Sequence, residues 1–266
     1  MSQARFSVRT AVAEGFEFWR ANVLKAIGPL AIAAVASLVG AVAPVQFALA
    51  ASGLNFVALI VAQGALFRIA LASEGAESPD RNGPFGLQWR GLETRLLGMT
   101  FGLVLLLFAV AIAATFALAL VVVAMVGDPA ALNVSSPEAF VASLTPQAAF
   151  VFNFGMTLCL LGILILVMRL TMAAPATAAT NRVRLFSSLG MTRGSVIRIL
   201  GAVLIVNLPV FALQGLALGY TKLIGAAATD RWAESVAAAI TTFFYVPISV
   251  GMTSYIYRRL REGGGQ

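Results

Sequence analysis

The chain has no histidine, one cysteine and few charges: 11% of its 266 residues are Asp, Glu, Lys or Arg. Without histidine it lacks the commonest general base and the commonest metal ligand. The single thiol, Cys159, can form neither an internal disulfide nor a thiolate cluster, and inside an apolar run it reads as a small buried hydrophobe. Soluble domains carry roughly a quarter charged residues, so this chain has too few polar groups to coat a water-facing surface. No G-x-S-x-G, H-E-x-x-H or P-loop pattern occurs. No Asp, Glu, Lys or Arg falls in the middle third of any predicted apolar span, where such residues mark ion-coupled transport. These absences point away from an enzyme and call for no cofactor or metal.

What is abundant is hydrophobicity, at 60% of residues. Lipid is the solvent that tolerates such a surface, and each crossing needs about 20 apolar residues. Six spans are predicted: Val23 to Leu49, Leu54 to Leu71, Leu96 to Val126, Ala148 to Met172, Ile199 to Tyr220 and Val236 to Tyr257. A short break at Ala50 to Gly53 separates the first two. Residues 127–147, with Asp128, Glu138 and three prolines, read as a polar loop. Pro175 ends the fourth span or starts a bend. Residues 5–20 read as an amphipathic helix with Val8, Val12, Phe16 and Trp19 on its apolar face. Residues 180–192 read as a second interfacial segment, with Leu185, Phe186 and Leu189 on one side.

One pattern recurs. A basic residue, a second five positions later and a glycine three after that occur three times, each at the mouth of an apolar run: Arg20, Lys25, Gly28; Arg90, Arg95, Gly98; Arg193, Arg198, Gly201. Basic side chains at such a boundary snorkel to lipid phosphates, and a glycine one turn deeper admits a close neighbour. The even-numbered spans also end alike, at Phe67-Arg68, Met168-Arg169 and Tyr257-Arg258. The repeat predicts three units, over 5–72, 85–175 and 180–261, within a single integral membrane domain.

Placing the loops on alternating sides puts sixteen of the eighteen basic residues on one side, leaving Lys222 and Arg231 on the other. Short basic loops stay cytoplasmic, so both termini are expected inside, which an even number of spans also requires. Ala48-Leu49-Ala50 resembles a signal cleavage site, but the amphipathic segment before it and the length of the apolar run argue against cleavage. The net charge of +7 lies beside apolar runs, so anionic lipid headgroups, with other membrane proteins second, are the expected partners rather than nucleic acid. The headgroup contacts are assigned to Arg20, Lys25, Arg90, Arg95, Arg193 and Arg198. Glu93, between Arg90 and Arg95, is expected to pair with them. Polar groups at depth are few, and Asn153, Asn207 and Gln214 are the candidates for an intramembrane polar site. The excess of arginine over lysine and the abundance of alanine suggest a GC-rich bacterial genome.

Met168 to Gly201 carries a span-ending Arg169, a small-residue turn with Pro175, and Ser188-Leu189-Gly190-Met191-Thr192-Arg193-Gly194 before the next span. With Phe18-Trp19-Arg20 at entry and Tyr255-Ile256-Tyr257-Arg258 at exit, it resembles a loose group of bacterial multi-span proteins. That group includes the membrane domain fused to some glycerophosphoryl diester phosphodiesterases. The resemblance implies a stand-alone membrane domain and carries over no catalytic residue.

The expectation is therefore an all-α polytopic membrane protein of the bacterial inner membrane. Its six transmembrane helices form three hairpins, with basic amphipathic helices on the cytoplasmic face. A non-enzymatic role in membrane assembly or envelope homeostasis is expected. The alternative is a permease for a small neutral or amphipathic solute or a lipid, which calls for a cavity reaching Asn153, Asn207 or Gln214.

Overall fold

The computed structural model describes residues 6–74, 76, 82–127, 132–133, 135–224 and 230–264, with side chains at all of these except 41, 42, 45, 137, 221–224, 230–232, 234, 263 and 264. Among them no strand occurs, and ten α-helices follow in order: α1 (Val8–Asn22), α2 (Ile27–Val42), α3 (Val45–Ala70), α4 (Gly91–Val126), α5 (Pro137–Ser143), α6 (Pro146–Leu170), α7 (Ala173–Thr180), α8 (Ser187–Met191), α9 (Val196–Ile224) and α10 (Asp230–Gly264). Six helical stretches are long and apolar enough to cross a membrane. The chain divides into two compact units, one made of Met1–Thr100 with Arg169–Gln266, the other of Phe101–Met168.

In the first unit, proline sets the boundary between the first two spans. Pro44 offers no N–H and pushes the residue before it out of the helical region. Ala43 accordingly sits at φ −74°, ψ 150°, and α3 starts directly after Pro44. The turn therefore falls at Ala43–Pro44 rather than at Ala50 to Gly53, which are helical. Small residues alone do not interrupt a helix in apolar surroundings, whereas a proline with an extended predecessor does. The two helices pack together, and the buried residues of both are rich in alanine, with Ala33, Ala36, Ala58, Ala62 and Ala65 among them.

The helix α10 packs against α1, α2, α3 and α9. Its stretch from Val246 to Tyr257 is buried almost all round, as expected of a helix without a polar face. Pro247 lies inside it. Proline cannot donate to the carbonyl four residues back, here that of Phe243, and the indole Nε1–H of Trp19 donates to that oxygen at 3.1 Å. The Trp19 ring also lies 4.9 Å from that of Phe244. Each helix gives the other a glycine. A Cβ on Gly15 would stand 2.8 Å from the Ile248 carbonyl oxygen, and one on Gly251 would stand 2.6 Å from Phe18 Cβ.

The buried side of α1 is Ala11, Gly15 and Asn22, while Val8, Val12 and Trp19 are half-buried and Phe16 is exposed. Helices in lipid gain by close approach, so the small side turns inward.

Two further boundaries differ from expectation. Pro175 neither ends a span nor bends one, because α6 ends at Leu170 and Pro175 lies in the first turn of α7, where its missing N–H goes unused. The 180–192 segment is helical only over Ser187–Met191. Its Phe186 is exposed while Ser188 is buried, because hydroxyls stitch the chain into tight turns here. Ser188 Oγ donates to the Leu185 carbonyl at 2.7 Å, and Thr192 Oγ1 to the Ser188 carbonyl at 2.9 Å.

The second unit comprises the later part of α4, all of α5 and most of α6. Leu118, Val122 and Ala148 are buried, and a Cβ on Gly155 would meet Leu118 Cδ1 at 2.5 Å. Most other large side chains, among them Phe101, Phe108, Phe116, Phe150 and Phe154, face outward. The segment expected to be a plain polar loop contains α5, which starts because Ser136 Oγ accepts from the Ala139 N–H at 3.1 Å, an N-cap. Phe140 of α5 packs edge-on against Phe152 at 5.5 Å. Asp128 of that loop lies outside the described residues.

Candidate functional site

At one end of the first unit, the last turn of α3, the first turn of α4 and the end of α10 come together around arginines. Glu93 stands in the first turn of α4. Its Oε2 accepts from Arg68 Nη2 at 2.7 Å, with both side chains fully buried, and from the Arg90 backbone N–H at 2.8 Å. The carboxylate therefore caps the start of α4 while neutralising α3's last cation. Arg68 Nη1 also donates to Asn82 Oδ1 at 3.3 Å, and Asn82 Nδ2 donates to the Ala65 carbonyl at 3.3 Å. Glu93 Oε1 has no hydrogen-bond partner among the described residues; it sits where a side chain on Gly64 would be.

The expected pairing of Glu93 with Arg90 and Arg95 is thus corrected. The partner is Arg68, 25 positions earlier. Residues two apart on a helix point to different sides, so Arg95 cannot face Glu93 and donates instead to Asn181 Oδ1. Asn181, at φ 54°, is the left-handed residue that ends α7.

The span-ending arginines all turn toward protein. Arg169 Nη2 donates to the Leu189 carbonyl at 2.7 Å, and Arg258 Nη1 to the Ala70 carbonyl, the last of α3, at 3.3 Å. Arg261 pairs with Glu74 at 2.7 Å.

Of the six basic residues of the recurring pattern, Arg95 binds protein in the same way, and the other four arginines behave differently. Arg20, Arg90 and Arg193 are exposed and Arg198 half-exposed. Among the described residues none of these four guanidinium groups has a partner. Lys25 is exposed, and its Nζ donates to Asn22 Oδ1 at 2.9 Å. The pattern's glycines occupy unlike surroundings. A Cβ on Gly28 would strike Leu87 Cγ at 2.8 Å, one on Gly201 would reach Val8 at 3.8 Å, and one on Gly98 would meet nothing within 4 Å. The side chains of Lys222 and Arg231 lie outside the described set.

The polar residues at depth hydrogen-bond within their own helices. Asn153 Nδ2 donates to the Ala149 carbonyl at 2.9 Å and Asn207 Nδ2 to that of Val203 at 2.8 Å. Gln214 is exposed on α9.

Three cavities are described, and none is lined by Asn153, Asn207 or Gln214. An apolar one of about 600 Å³ lies between α2 and α3, another of about 560 Å³ between α9 and α10, and a mixed polar one of about 480 Å³ lies near Lys25 and Asn82. Cys159 is half-buried on α6.

The Arg68–Glu93 pair escaped the sequence reading because Arg68 lies at the end of the second predicted span and Glu93 in the segment before the third. The available signals were Gly64 one helical turn before Arg68 and an acid set between Leu92 and Leu96. Comparison with known protein families, curated proteins and solved structures finds no match.

Proposed function

We propose that this chain is a non-enzymatic integral membrane protein of the bacterial inner membrane. Its spans form three hairpins, and its arginine-rich end and both termini are cytoplasmic. It acts in membrane assembly or envelope homeostasis through anionic lipid headgroups or neighbouring membrane proteins.

The observation that carries this reading is how the cations are spent. Arg68, Arg169, Arg258 and Arg261 bind protein groups. Arg20, Arg90, Arg193 and Arg198 stand beside apolar spans with no guanidinium partner among the described residues. Cations left free at a membrane boundary are suited to lipid phosphate, at about 1 kcal/mol each. The permease alternative draws no support from the three cavities, since none reaches the polar side chains it invoked.

Lipid mass spectrometry of the protein extracted from native membrane tests the reading. Replacing Arg20, Arg90, Arg193 and Arg198 together with glutamine is expected to lower co-purified anionic lipid by more than tenfold, leaving zwitterionic lipid unchanged. Unchanged anionic lipid would sink the reading. Reporter fusions at Ser187 and Ser135 test the orientation, with a cytoplasmic signal expected at the first and a periplasmic one at the second.

A further inference from the structure

The mixed cavity of about 480 Å³ lies where the single turn of 3₁₀ helix at Val23–Ala26 meets the segment leading into α4. We infer that it is a discrete site for one anionic phospholipid, with the phosphodiester at Lys25 and the start of the acyl chains against Leu24 and Phe85. This deepens the headgroup reading above and rests on it.

Among the described residues that line the cavity, Lys25 is the one that is charged. Its ammonium has three donors. One goes to Asn22 Oδ1, and Asn22 is itself tied by its Nδ2 to the Phe18 carbonyl at 3.1 Å. The cation is held in place with donors to spare. The polar wall is also fixed in advance, since Asn82 is bound to Arg68 and to the Ala65 carbonyl. Gly86, at φ +80°, presses the segment onto the turn so closely that a Cβ there would lie 2.7 Å from the Lys25 carbonyl oxygen.

The rim is apolar and strained. Phe85 holds φ 56°, ψ 18°, left-handed for a residue with a side chain, yet its ring is 69% exposed and beside it Leu24 is 74% exposed. Nothing in the described chain repays that backbone strain by burying the ring. An outlier of this kind points to a partner that does. An immobilised ammonium beside a strained apolar lip matches an amphiphile, with an anion at one end and hydrocarbon at the other. A zwitterionic lipid brings its own cation toward Lys25, so the anionic class is favoured.

Native mass spectrometry of the full chain in detergent, titrated with dioleoyl phosphatidylglycerol or dioleoyl phosphatidylcholine, tests this. One phosphatidylglycerol is expected to be retained at concentrations where phosphatidylcholine is not. Lys25→Gln is expected to lower that retention about fivefold, and Lys25→Arg to preserve it. Phe85→Gly should also lose the lipid while the protein melts no earlier, because glycine relieves the backbone. Equal retention of both lipids, or wild-type retention by Lys25→Gln, would overturn the site. Displacement of the lipid by millimolar inorganic phosphate would do the same, by making a free anion the ligand. If Arg182→Gln, at an exposed cation outside the cavity, lowers retention as much as Lys25→Gln does, the charge is diffuse and the cavity fails while the headgroup reading stands. If no anionic lipid is retained by any form, both fail.

Discussion

The two units use apolar residues in opposite ways. In the second, the most apolar 18-residue stretch within Pro146–Thr180 has a mean hydropathy of 2.5 and none of it is buried, while that within Pro84–Val126 has 2.9 with 11% buried. In the first, the corresponding stretch of Ser235–Glu262 has only 1.6 yet is 56% buried, and that of Gln46–Ala70 has 1.7 with 44% buried. The most hydrophobic helices are the least covered by protein. In water the opposite holds, because burial is driven by hydrophobicity. Where lipid surrounds the chain, hydrocarbon is as good a neighbour as leucine, and helices associate through small residues and polar contacts. Gly15, Gly64 and Gly251, with the alanines of α2 and α3, supply the first, and Arg68, Glu93 and Trp19 supply the second.

If that contrast is right, polar and small-residue changes in the first unit should be far more damaging than comparable changes in the second. The largest effect is expected at the buried pair. Glu93→Leu removes the carboxylate from a fully buried guanidinium and should cost about 3–5 kcal/mol, read by denaturant unfolding in detergent micelles. Asn153→Leu, on the exposed face of α6, should change stability by no more than about 0.5 kcal/mol. Equal effects from the two would abolish the distinction.

Next come the glycines. Gly251→Ala drives a methyl group into Phe18 and should cost about 1–3 kcal/mol. Gly162→Ala, where nothing lies within 4 Å, should be neutral or slightly stabilising.

The smallest effect is the most specific. Trp19→Phe should cost about 1 kcal/mol by leaving the Phe243 carbonyl without its donor. In a Pro247→Ala background, where the helix regains its own N–H for that carbonyl, the same change should cost measurably less. A double-mutant cycle showing no coupling would mean that the indole contributes only packing.

Much of the helical layout could be read in advance because long apolar runs report on lipid directly. The errors cluster where a single residue's geometry decides. Pro44 displaced the first turn, since its effect depends on the φ and ψ of its neighbour rather than on the loop-like look of Ala50 to Gly53. On α1 periodicity finds the large side chains Val8, Val12, Phe16 and Trp19, whereas it is Gly15 that admits α10. The basic pattern picks out Lys25 and five arginines, Arg95 among them, but nothing in the order of residues distinguishes Arg68, consumed by Glu93, from Arg90, whose guanidinium has no partner among the described residues. That distinction exists only once α3 and α4 lie side by side. Asn153, Asn207 and Gln214 were picked as rare polar groups at depth, and two of them satisfy themselves on their own helix.

The indole of Trp19 closes on a carbonyl 224 positions later in the chain. At roughly 5–20 residues per second of synthesis, about ten to forty-five seconds separate the emergence of the two partners. During that interval α1 has no groove to enter, and with Trp19 and Arg20 side by side it is suited to wait at the bilayer surface. Its docking then becomes a late event of biogenesis, one that reports that α10 has been inserted.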